Sequence, residues 1–296
     1  MHIPVLKNEV LEIIDPQPGK TYIDATVGEG GHLLGIIEKT GGQGRYLGID
    51  LEKRNIEYLT KIIKERGLKG KISLENASFI NIDKIAKKHN INEVDGILFD
   101  FGVCSWQIDE SGRGFSFKRD EPLDMRFDST TLEKTAKEIL NQENEFEIAR
   151  IIKEYGEEKY YRRIAKGIVE ARKRKQINTT GELVDIIKRS IPDSCRNRAI
   201  HPATRTFQGL RIAVNGELQA IAKALIEAWE LLDNDGILIA ISFHSLEDRL
   251  VKDFFKVITQ KGEGRVLTKK PITPLPEEIL INRRSRSAKL RAIIKE

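Results

Sequence analysis

The sequence predicts a doubly wound α/β fold interrupted by an inserted all-helical domain. Three observations carry this. Short β-rich runs alternate with amphipathic segments over the first hundred residues, the arrangement that builds a parallel sheet covered by helices. Residues 131–190 then turn helical, with no strand-like run. The apolar run 237–241 reads as a further buried strand. In order, strands are expected at 22–25, 45–50, 71–75 and 94–99, and helices at 32–39, 53–65 and 80–89, each ended or preceded by Gly, Asn or Asp. Residues 101–130 mix Gly, Ser, Arg and Asp with Phe, and a loop of that length inside a compact protein is usually functional, so a binding loop is expected. Within 131–190, Ile148, Ile151, Ile152 and Tyr155 share one helical face. Residues 204–232 read as one long helix opened by Pro202, followed by the turn Asp233-Asn234-Asp235-Gly236. The expected division is 1–107 with 203–296 for the sheet domain and 108–202 for the inserted loop and helices.

Composition excludes several classes. The 296 residues carry 50 Lys+Arg against 45 Asp+Glu, a net +5, with 40% hydrophobic residues. That is ordinary globular composition, in a chain long enough for two cores. No apolar run approaches the roughly 20 residues of a membrane helix. The opening Met1-His2-Ile3-Pro4-Val5-Leu6 does not read as a secretory leader, so a cytoplasmic location is expected. Cys104 and Cys195 belong to no C-x-x-C pair, and the histidines at 2, 32, 89, 201 and 244 form no helical pair with a glutamate, so no metal site is expected. Charge is uneven. Residues 150–200 hold 14 Lys+Arg and 7 Asp+Glu, an excess of 7 that leaves the remainder at −2. A run such as Arg172-Lys173-Arg174-Lys175 is ordinarily a solvated helix end, but beside a binding loop it points to a polyanion.

The strongest local motif is Tyr22-Ile23-Asp24-Ala25-Thr26-Val27-Gly28-Glu29-Gly30-Gly31-His32, a strand entering a glycine turn and then a helix. Glycine lets the backbone turn sharply and a ligand approach unhindered. The second strand ends in Gly48-Ile49-Asp50, which places a carboxylate where a ribose diol is held, and an adenosine-bearing cofactor follows. Charge decides which one. A dinucleotide fingerprint needs a third glycine where this chain has Leu33, and it puts a pyrophosphate where Glu29 and Asp24 would repel it. Those carboxylates are compatible with S-adenosylmethionine, which has no phosphate and bears a sulfonium and an ammonium. The fourth strand ends in Asp100 at the carboxyl edge of the sheet, where open α/β folds hold ligands.

Taken with His2-Ile3-Pro4-Val5-Leu6, Arg113-Gly114-Phe115-Ser116-Phe117, Leu123-Asp124-Met125-Arg126, His201-Pro202-Ala203-Thr204-Arg205-Thr206-Phe207-Gln208 and Ser242-Phe243-His244-Ser245-Leu246-Glu247-Asp248-Arg249, the glycine turn resembles that of the bacterial small-subunit ribosomal RNA methyltransferase H (MraW-like) family over nearly the whole chain. The resemblance implies a Rossmann-like methyltransferase sheet and S-adenosylmethionine as cofactor. It implies methyl transfer to the exocyclic N4 of a cytosine in the decoding region of 16S rRNA, in the small ribosomal subunit. It places cofactor contacts on Gly30, Gly31, His32, Asp50, Phe79, Asp100 and Gln107. The chain departs from the family pattern at Cys104 and Trp106, before Gln107, and at Phe127 and Gly209.

The amino nitrogen of cytosine is a poor nucleophile because its lone pair is delocalised, so the reaction needs positioning and a hydrogen-bond acceptor near the amine. Asp100, Asp124, His201 and His244 are the candidates, and the sequence does not rank them. An unstacked base needs aromatic or arginine faces, for which Trp106, Arg113, Phe115, Phe117 and Arg126 are placed in the loop. Arg172, Lys173, Arg174, Lys175 and Arg205 would hold flanking phosphates. Other readings are an NAD-dependent oxidoreductase, a non-catalytic RNA-binding assembly factor, and a methyltransferase of proteins or small molecules, for which the basic insertion has no obvious purpose.

Overall fold

The computed structural model describes residues 4–103, 106, 108, 110–196 and 201–296. The chain forms two compact units, Met1–Gly102 with Leu218–Glu296, and Val103–Glu217. The second is wider at both ends than the expected 108–202 and takes in the helix Thr204–Asn215.

The first unit holds a seven-stranded sheet, β1 (Thr21–Asp24), β2 (Arg45–Asp50), β3 (Lys71–Asn76), β4 (Val94–Asp100), β5 (Leu232–Ser242), β6 (Gly264–Val266) and β7 (Lys289–Lys295). Its order is β3-β2-β1-β4-β5-β7-β6. β1 to β5 pair in parallel, while β7 runs antiparallel between β5 and β6. Alternation along each strand sends side chains to two separate cores. Ile23, Ile97, Phe99, Leu238 and Ala240 face one core, which is closed by α4 (Ile82–Lys88), α10 (Glu217–Leu231) and α11 (Ser245–Lys261). Tyr22, Tyr46, Leu98, Ile239 and Ile241 face the other, closed by α1 (Lys7–Ile14), α2 (Gly31–Lys39) and α3 (Lys53–Glu65). The short helix α12 (Pro276–Ile281) precedes β7. Because β1 lies between β2 and β4, the winding reverses there, and a crevice is expected beyond Asp24 and Asp100 at the carboxyl ends of those strands.

The second unit packs α5 (Ala136–Gln142), α6 (Glu145–Glu154), α7 (Tyr161–Arg172), α8 (Thr180–Ser190) and α9 (Thr204–Asn215) around its own core of Ile148, Ile152, Ile164, Ile168, Leu183 and Leu210. α6 and α9 approach closely. A Cβ at Gly156 would lie 2.4 Å from the Arg205 carbonyl oxygen, and one at Gly209 would lie 3.0 Å from the Gly156 nitrogen, which explains the glycine at this departure from the family pattern.

Two expectations need correction. Residues 204–232 are two helices, not one, because Gly216 adopts φ 59° and ends α9 in the left-handed conformation that glycine tolerates best. The fifth strand begins at Leu232, since the Asp233-Asn234-Asp235-Gly236 segment joins it through a register irregularity opposite Val94 and Gly96. No helix among the described residues is long and apolar enough to cross a membrane.

Candidate functional site

The carboxyl ends of β1 and β4 carry a cluster of buried polar groups. Asp24 ends β1 with no exposed surface. One oxygen accepts from the Thr26 amide at 3.2 Å, and the other has no hydrogen-bond partner among the described residues. Burial pushes the Asp24 carboxyl up to about 7; His32 and the Thr26 amide oppose that rise, while Asp100 and Asp50 add to it. His32, in the first turn of α2, is buried, and among the described residues neither ring nitrogen has a hydrogen-bond partner. Its Nε2 lies 3.8 Å from Asp100 Oδ2, beyond hydrogen-bond reach. Buried groups of this kind are costly unless satisfied. A cluster of two carboxylates and an imidazole with free acceptor capacity suits a small cation bearing N–H donors and disfavours a phosphate.

The glycine turn has a more mixed origin than its sequence suggests. Gly30 caps α2 at φ 86°, and a Cβ there would lie 2.3 Å from Leu59 Cδ1. A Cβ on Gly31 would meet Pro4 at 2.7 Å. Crowding therefore bears on both glycines, and Gly30 at φ 86°, like Gly28 at φ 52° with no crowded neighbour, also needs glycine for its backbone. Asp50, at the end of β2, accepts from the Gly28 amide and the Glu52 amide, each at 2.8 Å, so it braces the turn. Burial raises its carboxyl against those donors. The Asn55 side chain bonds it as well, so of a carboxylate's about four acceptor positions about one remains for a ribose hydroxyl. Thr26 ties β1 to β4 by accepting from the Asp100 amide at 2.6 Å. The half-buried Phe79 stands edge-on to Phe99 at 5.8 Å and 6.0 Å from Phe101, forming an aromatic wall beside the strand end. Gln107 and Cys104 lie outside the described residues.

The acceptor candidates have different surroundings. Asp100 Oδ1 accepts from the Gly102 amide at 3.0 Å. His244 is the N-cap of α11, its Nδ1 facing the Glu247 amide at 3.4 Å, while Glu247 accepts from the Phe243 and His244 amides in return. In the second unit, Asp124 is gripped by Arg126 through two bonds of 2.7 and 2.9 Å, which hold its carboxyl below the usual carboxylate range against burial. His201 stacks on Phe117 at 4.3 Å, receives the Ala203 amide on Nδ1 at 3.2 Å, and is shifted down by burial and by Lys188.

Several expected RNA contacts are occupied inside the second unit. The Arg113 guanidinium lies over Trp106 and Phe115 and donates to the Arg126 and Phe127 carbonyls. Phe115 stacks on Phe127 at 5.4 Å, which accounts for the aromatic residue at 127. Arg126 also donates to the Leu132 carbonyl, and Arg172 to the Leu140 carbonyl. Lys175 pairs with Glu182 at 2.6 Å, and Arg205 reaches the Glu157 carbonyl. Lys173 and Arg174 are exposed. Sequence reasoning used Asp24 only as a charge and missed Thr26; the signal for both was their place at a strand end beside the turn.

The model of the MraW methylase family matches residues 1–296. The chain is similar to proteins named ribosomal RNA small subunit methyltransferase H. It is 49% identical to that of Sulfurihydrogenibium sp. (strain YO3AOP1) across 98% of this chain and 97% of the relative. It is 45% identical to that of Ehrlichia chaffeensis across the whole of both. A candidate rRNA methylase from Clostridium thermocellum, solved by crystallography, shares the fold over both full chains with a TM-score of 0.50 at 16% identity.

Proposed function

The chain belongs to the MraW methylase family, and from that membership we propose that it is an S-adenosylmethionine-dependent methyltransferase acting on small-subunit ribosomal RNA. The acceptor is the exocyclic N4 of a cytosine in the decoding region of 16S rRNA. Residues 108–202 hold the substrate, and the sheet unit holds the cofactor. The observation that carries this reading is the buried Asp24, one oxygen of which has no partner among the described residues, beside His32 and Asp100, a setting that favours a cation over a diphosphate.

When bound, S-adenosylmethionine supplies an electrophilic methyl group. Asp24, His32 and Asp100 would hold its charged end, Asp50 would take a ribose hydroxyl, and Phe79 would hold the adenine, with Gly30, Gly31 and, by the family resemblance, Gln107 as further contacts. Asp100 is the acceptor best suited to the cytosine amine: it stands at the switch point, and the basic group paired with its Oδ2 among the described residues, His32, is 3.8 Å away. There it draws on the amine hydrogen, localises the nitrogen lone pair and receives the proton released by transfer. Asp124 is less suited, because its Arg126 partner lowers its basicity. His244 is committed to a helix cap. His201, kept neutral by its surroundings, suits a stacking role with Phe117.

The test is to incubate the protein with labelled S-adenosylmethionine and unmethylated 30S subunits or bare rRNA, then digest and map the label. One N4-methylated cytidine in the decoding region is the expected result. No transfer would favour the assembly-factor reading, and preferential binding of NAD would favour an oxidoreductase.

A further inference from the structure

In the run Arg172 to Lys175, Arg172 bonds the Leu140 carbonyl and the exposed Lys175 pairs with Glu182. A different surface of the same unit is better built for a polyanion. We infer that residues Lys153, Lys159, Tyr160, Tyr161, Arg162 and Arg163 form an RNA-contact surface, with the cations on phosphates and the Tyr161 ring under an unpaired base. The inference rests on the proposed rRNA substrate.

Lys153, Lys159, Arg162 and Arg163 are all exposed, while both tyrosines are half-buried against the unit's core. Lys153 Nζ and Arg162 Cζ each lie 5.6 Å from the centre of the Tyr161 ring, and Lys159 Nζ lies 6.0 Å from that of Tyr160. Residues 159–163 line an open depression of about 400 Å³. Tyr160 is fixed by a 3.3 Å contact between its hydroxyl and Cys195 Sγ. Two neighbouring acids are turned to other tasks: Glu154 pairs with Arg150, and Glu158 accepts from the Tyr160 amide.

Stability does not account for this clustering. α5, α6 and α8 each begin with an acidic residue in the first turn and a side-chain cap. α7, like α9, has neither, and it carries Arg162 and Arg163 against the positive end of its own dipole. Cations spaced by aromatic rings are the chemistry that tracks a nucleic-acid backbone while stacking a base, and the guanidinium over the tyrosine offers its outer face for one.

The experiment compares the full-length protein with Lys159→Gln/Arg162→Gln/Arg163→Gln and with Tyr161→Leu and Tyr161→Phe. Binding to naked small-subunit rRNA and to 30S subunits is measured across a range of salt, alongside S-adenosylmethionine affinity. The triple variant is expected to bind naked rRNA at least about tenfold more weakly, with a logarithmic salt slope shallower by roughly 2 to 3 and unchanged cofactor affinity. Tyr161→Leu is expected to lose roughly tenfold and Tyr161→Phe to retain binding. The charge variant alters exposed side chains only, so it decides the matter even if Tyr161→Leu loosens the core. Unchanged affinity and slope, with wild type still binding and methylating rRNA, overturn the surface and leave the proposed function intact. A loss on 30S subunits alone overturns it in favour of an acidic protein partner. If wild type neither binds nor methylates rRNA, both readings fall.

Discussion

The two units handle charge in opposite ways. At the strand ends of the sheet, carboxylates are drawn inside, with Asp24 fully buried and Asp100 and Asp50 largely covered. In the insert, cations such as Lys159, Arg162, Lys173 and Arg174 stay in solvent. The contrast matches what each is proposed to recognise. A small cation is selected by a few desolvated groups, each of which counts heavily, whereas a polyanion is held by many solvated ones that each count little.

The largest effect expected from this contrast concerns Asp24. With its carboxyl pushed up to about 7 from the usual 3.8, the folded state holds the proton more tightly than the unfolded chain. Its contribution to stability is therefore fully present below about pH 4 and is lost as pH rises through 7, roughly 4 kcal/mol in all. A cationic cofactor prefers the ionised form, so S-adenosylmethionine affinity is expected to rise between pH 6 and 8 with release of a proton. Denaturation without cofactor and titration calorimetry with it measure the two trends, and Asp24→Asn should flatten both. A flat wild-type affinity profile would break the comparison at its acidic end. A smaller effect is expected at Arg172, whose bond to the Leu140 carbonyl makes it part of the insert's framework. Arg172→Ala should cost about 1 kcal/mol in urea unfolding while leaving the salt slope of rRNA binding nearly unchanged. The smallest belongs to the exposed pair: Lys173→Glu/Arg174→Glu should weaken rRNA binding several-fold and leave cofactor affinity and melting temperature alone. Unchanged rRNA affinity would remove that pair from the substrate surface.

What the sequence disclosed depends on how local each feature is. The first four strands and the glycine turn follow from runs of a few residues, and they lie within a residue or so of expectation. β7 carries no motif of its own, because its place between β5 and β6 depends on partners far away in sequence. Asp50 and Asp100 could be found from their position at strand ends, but the bracing of Gly28 by Asp50 could not. Arg113, Arg126 and Phe115 read as ligands because exposed arginines and aromatics look alike in a sequence whether they meet RNA or a carbonyl 13 residues further on. The Tyr160–Tyr161 surface was overlooked for the converse reason. Its cations are interrupted by rings, whereas the uninterrupted run at 172–175 draws the eye.

The strand order has a consequence for synthesis. β4 and β5 are neighbours in the sheet, yet the whole insert is made between them. At translation speeds of about 5–20 residues per second, the β4 edge waits on the order of 10 s for its partner. During that interval it offers unpaired backbone groups and the apolar side chains of Ile97, Leu98 and Phe99 to whatever is nearby. The insert, whose core is its own, can fold meanwhile. The nascent chain should therefore depend on chaperones most while the insert is being made, and should need them least once β7 has closed over β5.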